Sequence, residues 1–160
     1  MLFSVMHLIH LIFVILWIGG LAFITMLVLP AVIRTPDSLE KVLQFQRIEH
    51  RFAPIARVYS AIVGISGFVM MFMMGWQGVI FTAAGLPLLF MTLVWCFWTV
   101  MLFGLEPIII KKMLDNMAKD PDEMTINSVF KRMNVLHWVL LFVSLLASAA
   151  GAVFAHGFFL

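Results

Sequence analysis

The sequence predicts an all-α integral membrane protein: an antiparallel four-helix bundle with a short interfacial amphipathic helix between spans one and two. Of its 160 residues, 64% are apolar and 11% are charged, whereas soluble domains carry about 25% charged residues. A helix needs about 20 mostly apolar residues to cross a bilayer, and four segments have that length. They lie at about residues 2–29, 53–83, 86–110 and 135–159, which gives residues 1–160 as one four-span transmembrane domain.

The distribution of charge predicts the orientation of these spans. All Lys, Arg, Asp and Glu residues lie in or beside two connections, residues 31–52 and 111–134. Lys and Arg in short loops mark the cytoplasmic side, so we expect both termini outside, in the periplasm of a bacterium whose inner membrane holds the protein. The slight excess of positive charge then reflects orientation and does not indicate nucleic-acid binding. The one cysteine, Cys96, excludes an internal disulfide.

The first connection predicts the additional helix. The first span ends at Leu29-Pro30, and Thr35-Pro36-Asp37 is typical of a helix start with proline in the first turn. In residues 38–50, apolar side chains lie among charged and polar ones, which indicates an amphipathic helix at the cytoplasmic interface. Phe52-Ala53-Pro54 then begins the second span anew.

The second half of the chain contains two further boundary signals. Glu106-Pro107 predicts a kink in the third helix, which we expect to extend past the lipid to Lys119. The acidic stretch Asp120-Pro121-Asp122-Glu123 predicts a new helix start that leads through Asn134 into the fourth span.

Three of the five histidines lie at the outer ends of the predicted spans. His7 and His10 are three residues apart and share one helix face with Trp17. His156 approaches them if helices one and four pack side by side. Imidazoles from two neighbouring helices can ligate the iron of a haem, so His10 and His156 are the candidate iron ligands, with His7 as an alternate. Alternatively, each ring is simply hydrated at the lipid headgroups.

The other two histidines, His50 and His137, lie on the cytoplasmic side. Basic side chains near them could bind the propionates of a haem there, and Arg57 is the candidate within a span. Arg57 could also hold a quinone head group. The favoured alternative is an ion pair with Glu106, because a lone charge inside a membrane is costly.

Methionines suggest copper as a second cofactor. Thioether and imidazole ligands suit cuprous copper, and both occur where helix one starts and helix two ends. Methionine also serves as an ordinary apolar filler, so the pattern is open to both interpretations. The candidate copper ligands are Met6, His7, His10, Met70, Met73 and Met74.

The string HLIHLIFVILWIGGLAF, residues 7–23, resembles the first span of two bacterial families. These are the copper-resistance-D-type membrane domain and the membrane protoporphyrinogen oxidase, which both place a Trp seven residues after a His, followed by Gly. Phe130-Lys131-Arg132-Met133-Asn134 is similar to the oxidase family's lead into its last span. The resemblance to the oxidase family implies a b-type haem with a redox function, and the resemblance to the copper-resistance family implies a function with copper. In both cases it implies His10 as a ligand. The third span here has neither the Lys nor the His that the oxidase family carries there.

We therefore expect a membrane b-type haem protein with an electron-transfer role, linked to quinone or porphyrin. The alternatives are a copper-binding or copper-transport protein, and a small subunit of a homo-oligomer or larger membrane complex. The sequence contains no zinc His-Glu-x-x-His motif, phosphate-binding glycine loop or nucleophilic serine elbow. An enzymatic activity would thus be that of a haem-dependent membrane oxidoreductase.

Overall fold

The computed structural model describes residues 1–120 and 122–156, apart from the side chain of Ile109. It is 91% helical with no strands among these residues, which confirms the predicted fold class. Four helices are long and apolar enough to cross a membrane: α1, Leu2–Ile33; α2, Ser38–Met73; α3, Ala83–Lys119; and α4, Glu123–Ala155. The predicted end of the fourth span, residues 157–159, lies outside the described residues.

The helices form an antiparallel bundle whose order around the ring follows the chain. α1 packs most extensively on α2, and α3 on α4, while α1 also contacts α4 and α2 also contacts α3. We call the end with the α1–α2 and α3–α4 connections the charged end. The opposite end, with residue 1, residues 74–85 and residue 156, has no charged side chain and is called the uncharged end.

The predicted interfacial helix over residues 38–50 is helical but is not a separate element. It continues without a break through Pro54 into the second span, so that α2 is one helix of 36 residues. The side chains of Val42 and Phe45 are buried in the bundle core, and the Phe45 ring packs edge-to-face on Phe130 at 5.5 Å between centroids. The helix predicted over residues 38–50 is therefore present, but it is the first part of α2, and its apolar side chains Val42 and Phe45 pack on the bundle.

The charged-end start of α2 is fixed by a side-chain cap. Asp37 accepts a hydrogen bond from the backbone N–H of Glu40 at 2.6 Å, which satisfies one of the unpaired donors of the first turn. Pro54 removes one backbone donor within α2, but its own side chain is exposed. Ala53 and Ala56 on either side of it are buried against the bundle, and the helix continues through the proline.

Glu106-Pro107 lies in an irregular part of α3, as the sequence indicates. Residues Met101–Ile110 form a π-helical segment, and the helix then continues as a regular α-helix to Lys119. Wide turns of this kind relieve the crowding that a proline ring causes inside a helix. The predicted extension of the third helix to Lys119 is confirmed.

The apolar core is not packed evenly along the bundle. At the charged end, side chains such as Leu29, Val42 and Ile126 are completely buried. A middle layer is centred on Trp17, Trp98 and Leu141. Among the described residues of the uncharged end, the buried cluster is a small one of Ile80, Leu88 and Phe154. Space for a ligand is therefore left in the uncharged half.

Candidate functional site

A cavity of about 360 Å³ lies in the uncharged half of the bundle, between all four helices. Its walls are mostly apolar, as is usual for cofactor sites of this size. The Trp17 and Trp98 rings border it and meet edge-to-face across the bundle, with 5.8 Å between centroids. The indole N–H of Trp98 donates to Ser144 Oγ at 3.0 Å. The polar side chains that line the cavity are His7, His10, Thr92, Ser144, Ser148 and His156.

The imidazole of His10 is held by hydrogen bonds from the neighbouring helix. Its Nδ1 lies 3.0 Å from the Val63 carbonyl oxygen and 3.1 Å from Ser66 Oγ. A carbonyl oxygen can only accept a hydrogen bond, so Nδ1 carries the proton and the lone pair lies on Nε2. Ser66 donates its own hydrogen to the Ile62 carbonyl at 2.7 Å, which leaves its oxygen as a second acceptor for His10. Metal-ligating histidines are commonly oriented in this way.

Glycines make room for the large side chains around the cavity. A Cβ atom at Gly67 would lie 3.1 Å from Cε1 of His10, and one at Gly151 would lie 2.8 Å from the Met91 sulfur. A Cβ atom at Gly64 would collide with the ring of Trp95. His10, Met91 and Trp95 therefore approach the backbone of a neighbouring helix closely where they line the cavity.

His156 brings a second imidazole to the same cavity from α4. Its Nδ1 lies 2.8 Å from the Ala152 carbonyl oxygen, which again leaves the lone pair on Nε2. Since α1 and α4 are neighbours, the structure gives the arrangement on which the predicted pair of His10 and His156 depends. His7 also lines the cavity and is exposed, with its ring 5.9 Å from that of Phe3.

In the described part of the chain, no three His, Cys, Asp or Glu side chains converge as a metal site would require. A haem with two axial histidines requires only two such ligands from the protein. His10 and His156 are two imidazoles that line this one cavity.

The charged-end histidines do not join this group. His50 is exposed and His137 is partly buried, with its Nδ1 2.8 Å from the Met133 carbonyl oxygen. Neither is among the residues that line the cavity. Arg57 forms the ion pair with Glu106 that the sequence favours, and its Nε donates to the Leu102 carbonyl at 2.8 Å. Its guanidinium group is thus already bound within the protein.

The predicted copper set is only partly assembled at the cavity. His7 and His10 line it, whereas Met6, Met70, Met73 and Met74 do not. The two methionines that do line it, Met71 and Met91, are absent from the predicted set, as are Trp95, Ser144 and Ser148. The spacing of Gly64 and Gly67 on α2 was a signal for this site, because small residues mark close helix approach.

No protein-family model, curated protein or solved structure matches this chain. The resemblance of its first span to two bacterial families therefore stays a prediction.

Proposed function

We propose that this protein is a membrane b-type haem protein with an electron-transfer role, and that His10 and His156 are the axial ligands. One observation carries the proposal: two imidazoles from adjacent helices border one apolar cavity, each with Nδ1 bonded to a carbonyl and a lone pair on Nε2. Bis-histidine ligation in the core of a helical bundle is an established way to hold haem.

The other lining residues are compatible with a porphyrin. Aromatic rings and aliphatic side chains form most of the wall, and Trp17 and Trp98 meet on one side of the space. The uncharged end has no Lys or Arg side chain for the two propionates of a haem, so water would have to solvate these carboxylates. When bound, the haem would supply a one-electron iron couple.

The chain's own contribution is to orient the ligand and limit water. Val63 and Ser66 fix the protonation and the ring plane of His10 before any cofactor arrives. A ligand that is already oriented loses less conformational entropy on binding. The apolar walls would give a bound group surroundings of low dielectric constant. In such surroundings each polar contact shifts the redox potential of the bound group more strongly.

We further propose that the membrane is the bacterial inner membrane and that both termini lie outside. The support is the charge pattern: all ten Lys and Arg residues lie in or beside the two connections of the charged end, which fits the cytoplasmic side. The cavity and its histidines would then lie in the outer half of the bilayer.

The first prediction concerns the bound cofactor. Purified protein from haem-sufficient cells is expected to show a b-type spectrum and to give a pyridine haemochrome. His10→Ala should lower the haem content at least tenfold because it removes one axial ligand. His50→Ala, at an exposed position away from the cavity, is the matched control and should leave the content unchanged. A colourless wild-type preparation, purified in a mild detergent without heating, would overturn the proposal.

Copper binding is the second candidate function. The favouring observation is that Met71 and Met91 line the same cavity as His7 and His10, which brings thioether and imidazole ligands together. Metal analysis of the same preparations separates the two functions. Stoichiometric copper in a colourless protein would support this candidate in place of haem.

A further inference from the structure

A second apolar depression runs along the outside of the bundle between α2 and α3. This outer groove has a volume of about 720 Å³ and is lined from Ala61 to Met73 on α2 and from Trp95 to Phe103 on α3. Twelve residues of helix correspond to about 18 Å along the bundle axis. The groove therefore has the length and direction of a hydrocarbon chain lying beside the protein.

The outer groove and the central cavity share one wall. Gly64, Phe68 and Trp95 line both spaces. Phe68 and Trp95 pack edge-to-face with 5.4 Å between centroids, and the Trp95 indole N–H donates to the Ser60 carbonyl at 2.9 Å. A ligand in the groove would thus be separated from a group in the cavity by a single layer of side chains.

The polarity of the groove limits the ligand that it can hold. Among its described lining residues, Trp95 and Thr99 are the two whose side chains carry a nitrogen or oxygen atom. The Thr99 hydroxyl donates to the Trp95 carbonyl at 2.9 Å, so its oxygen can accept a further hydrogen bond but has no hydrogen to give. With the Trp95 N–H also engaged, the groove accepts a hydrogen bond and offers none.

The groove also lacks a site for a charged head group. The described residues that line the groove include no charged side chain, so a phosphate or carboxylate in it would have no charged partner among them. An uncharged, chain-bearing molecule with hydrogen-bond donors fits this environment better than a phospholipid does.

We propose that the outer groove binds a lipid-soluble quinol, with its hydrocarbon chain along α2 and a ring hydroxyl donating to Thr99 Oγ1. The choice of a redox-active lipid rests on the proposed haem function, because the shared wall places this ligand next to the cavity. The oxidised quinone has only acceptors, so it has no hydrogen bond to form with Thr99 and binds more weakly.

The test measures binding of a decyl-substituted benzoquinol and of its quinone by protein in quinone-free lipid nanodiscs, with empty nanodiscs as the reference. Thr99→Val removes the acceptor while conserving shape, and should weaken quinol binding about three- to tenfold while leaving quinone binding unchanged. Thr25→Val is the matched control, since the Thr25 hydroxyl also donates one turn back, to Leu21, and lines neither the cavity nor the groove. Equal binding of quinol by wild type and Thr99→Val would overturn the hydrogen bond and with it the proposal.

A second variant tests the position of the chain. Ala61→Phe fills the groove and should abolish binding of both decyl compounds, whereas Ala149→Phe, at an exposed position outside the groove, should not. If Ala61→Phe displaces a co-purified phospholipid and leaves quinol binding unchanged, the groove is a phospholipid site and the proposal is wrong. The haem spectrum is recorded separately: loss of haem overturns the proposed function, while quinol binding that responds to Thr99 and Ala61 supports the groove in either case.

Discussion

At the scale of single residues, the site depends on glycines as well as on the side chains that line the cavity. The His10 ring lies close to the α2 backbone at Gly67, where a Cβ atom would be 3.1 Å from Cε1 of the imidazole. In an ordinary exposed helix, replacing glycine by alanine stabilises the helix by about 1 kcal/mol. At Gly67 that gain is opposed by the contact of the new Cβ atom with the imidazole. Whether Gly67→Ala stabilises or destabilises the protein therefore indicates how tightly the His10 ring is held.

Gly67→Ala is therefore expected to reduce haem content several-fold, because a Cβ atom 3.1 Å from His10 Cε1 would move the ring away from Val63 and Ser66. The measurement is the ratio of haem absorbance to protein absorbance in purified samples. Gly19→Ala is the control on α1, since no atom lies within 4 Å of a Cβ there. Similar losses in both variants would contradict the role of Gly67.

At the scale of helices, α2 and α4 are joined at the charged end by a buried lysine. Lys41 has only 5% of its surface exposed, and its ammonium group donates to the side-chain oxygen of Asn127. A buried charge without a partner is strongly destabilising, whereas an apolar residue of similar size in its place is often neutral. The two members of this pair should thus respond differently to substitution.

Asn127→Ala is expected to lower the free energy of unfolding by about 1–2 kcal/mol, because it leaves the Lys41 ammonium group without its acceptor. Lys41→Met removes the charge itself and is expected to have a smaller effect. Thermal unfolding of both variants in the same detergent tests this order. A larger loss for Lys41→Met would show that the ammonium group has stabilising contacts beyond Asn127.

At the scale of the whole molecule, all charged residues lie toward one end and the cavity lies toward the other. If the charged end is cytoplasmic, a cysteine at Gln77 should react with a membrane-impermeant maleimide on intact cells. A cysteine at Asn116 should react only after the membrane is opened. Both positions are exposed, and Cys96→Ser provides the background. Labelling of Asn116→Cys in intact cells would reverse the orientation.

The helical bundle was predictable because hydropathy over long segments is a strong signal. The sequence did not predict what the apolar side chains of residues 38–50 pack against, since an apolar stripe can face lipid or a neighbouring helix equally well. Only the burial of Val42 and Phe45 against other helices decides between them.

The site was predictable only in part. His7, His10 and His156 were identifiable as ionisable groups near span ends, but the meeting of α1 with α4 is a tertiary property that spacing within one helix does not contain. Trp95 and Met91 were missed because an apolar residue in a span has the same pattern whether it faces lipid or a cavity.

The uneven packing of the core has a consequence for handling the protein. In the part of the chain that the structure describes, the tightest layer, around Leu29 and Phe130, is at the opposite end from the cavity, where the buried cluster around Leu88 and Phe154 is small. Cooperative units with fewer apolar contacts open first on warming. Gentle heating or harsh detergent should thus release whatever occupies the cavity while most of the helix content persists, so an empty preparation can still give the circular dichroism of a native one.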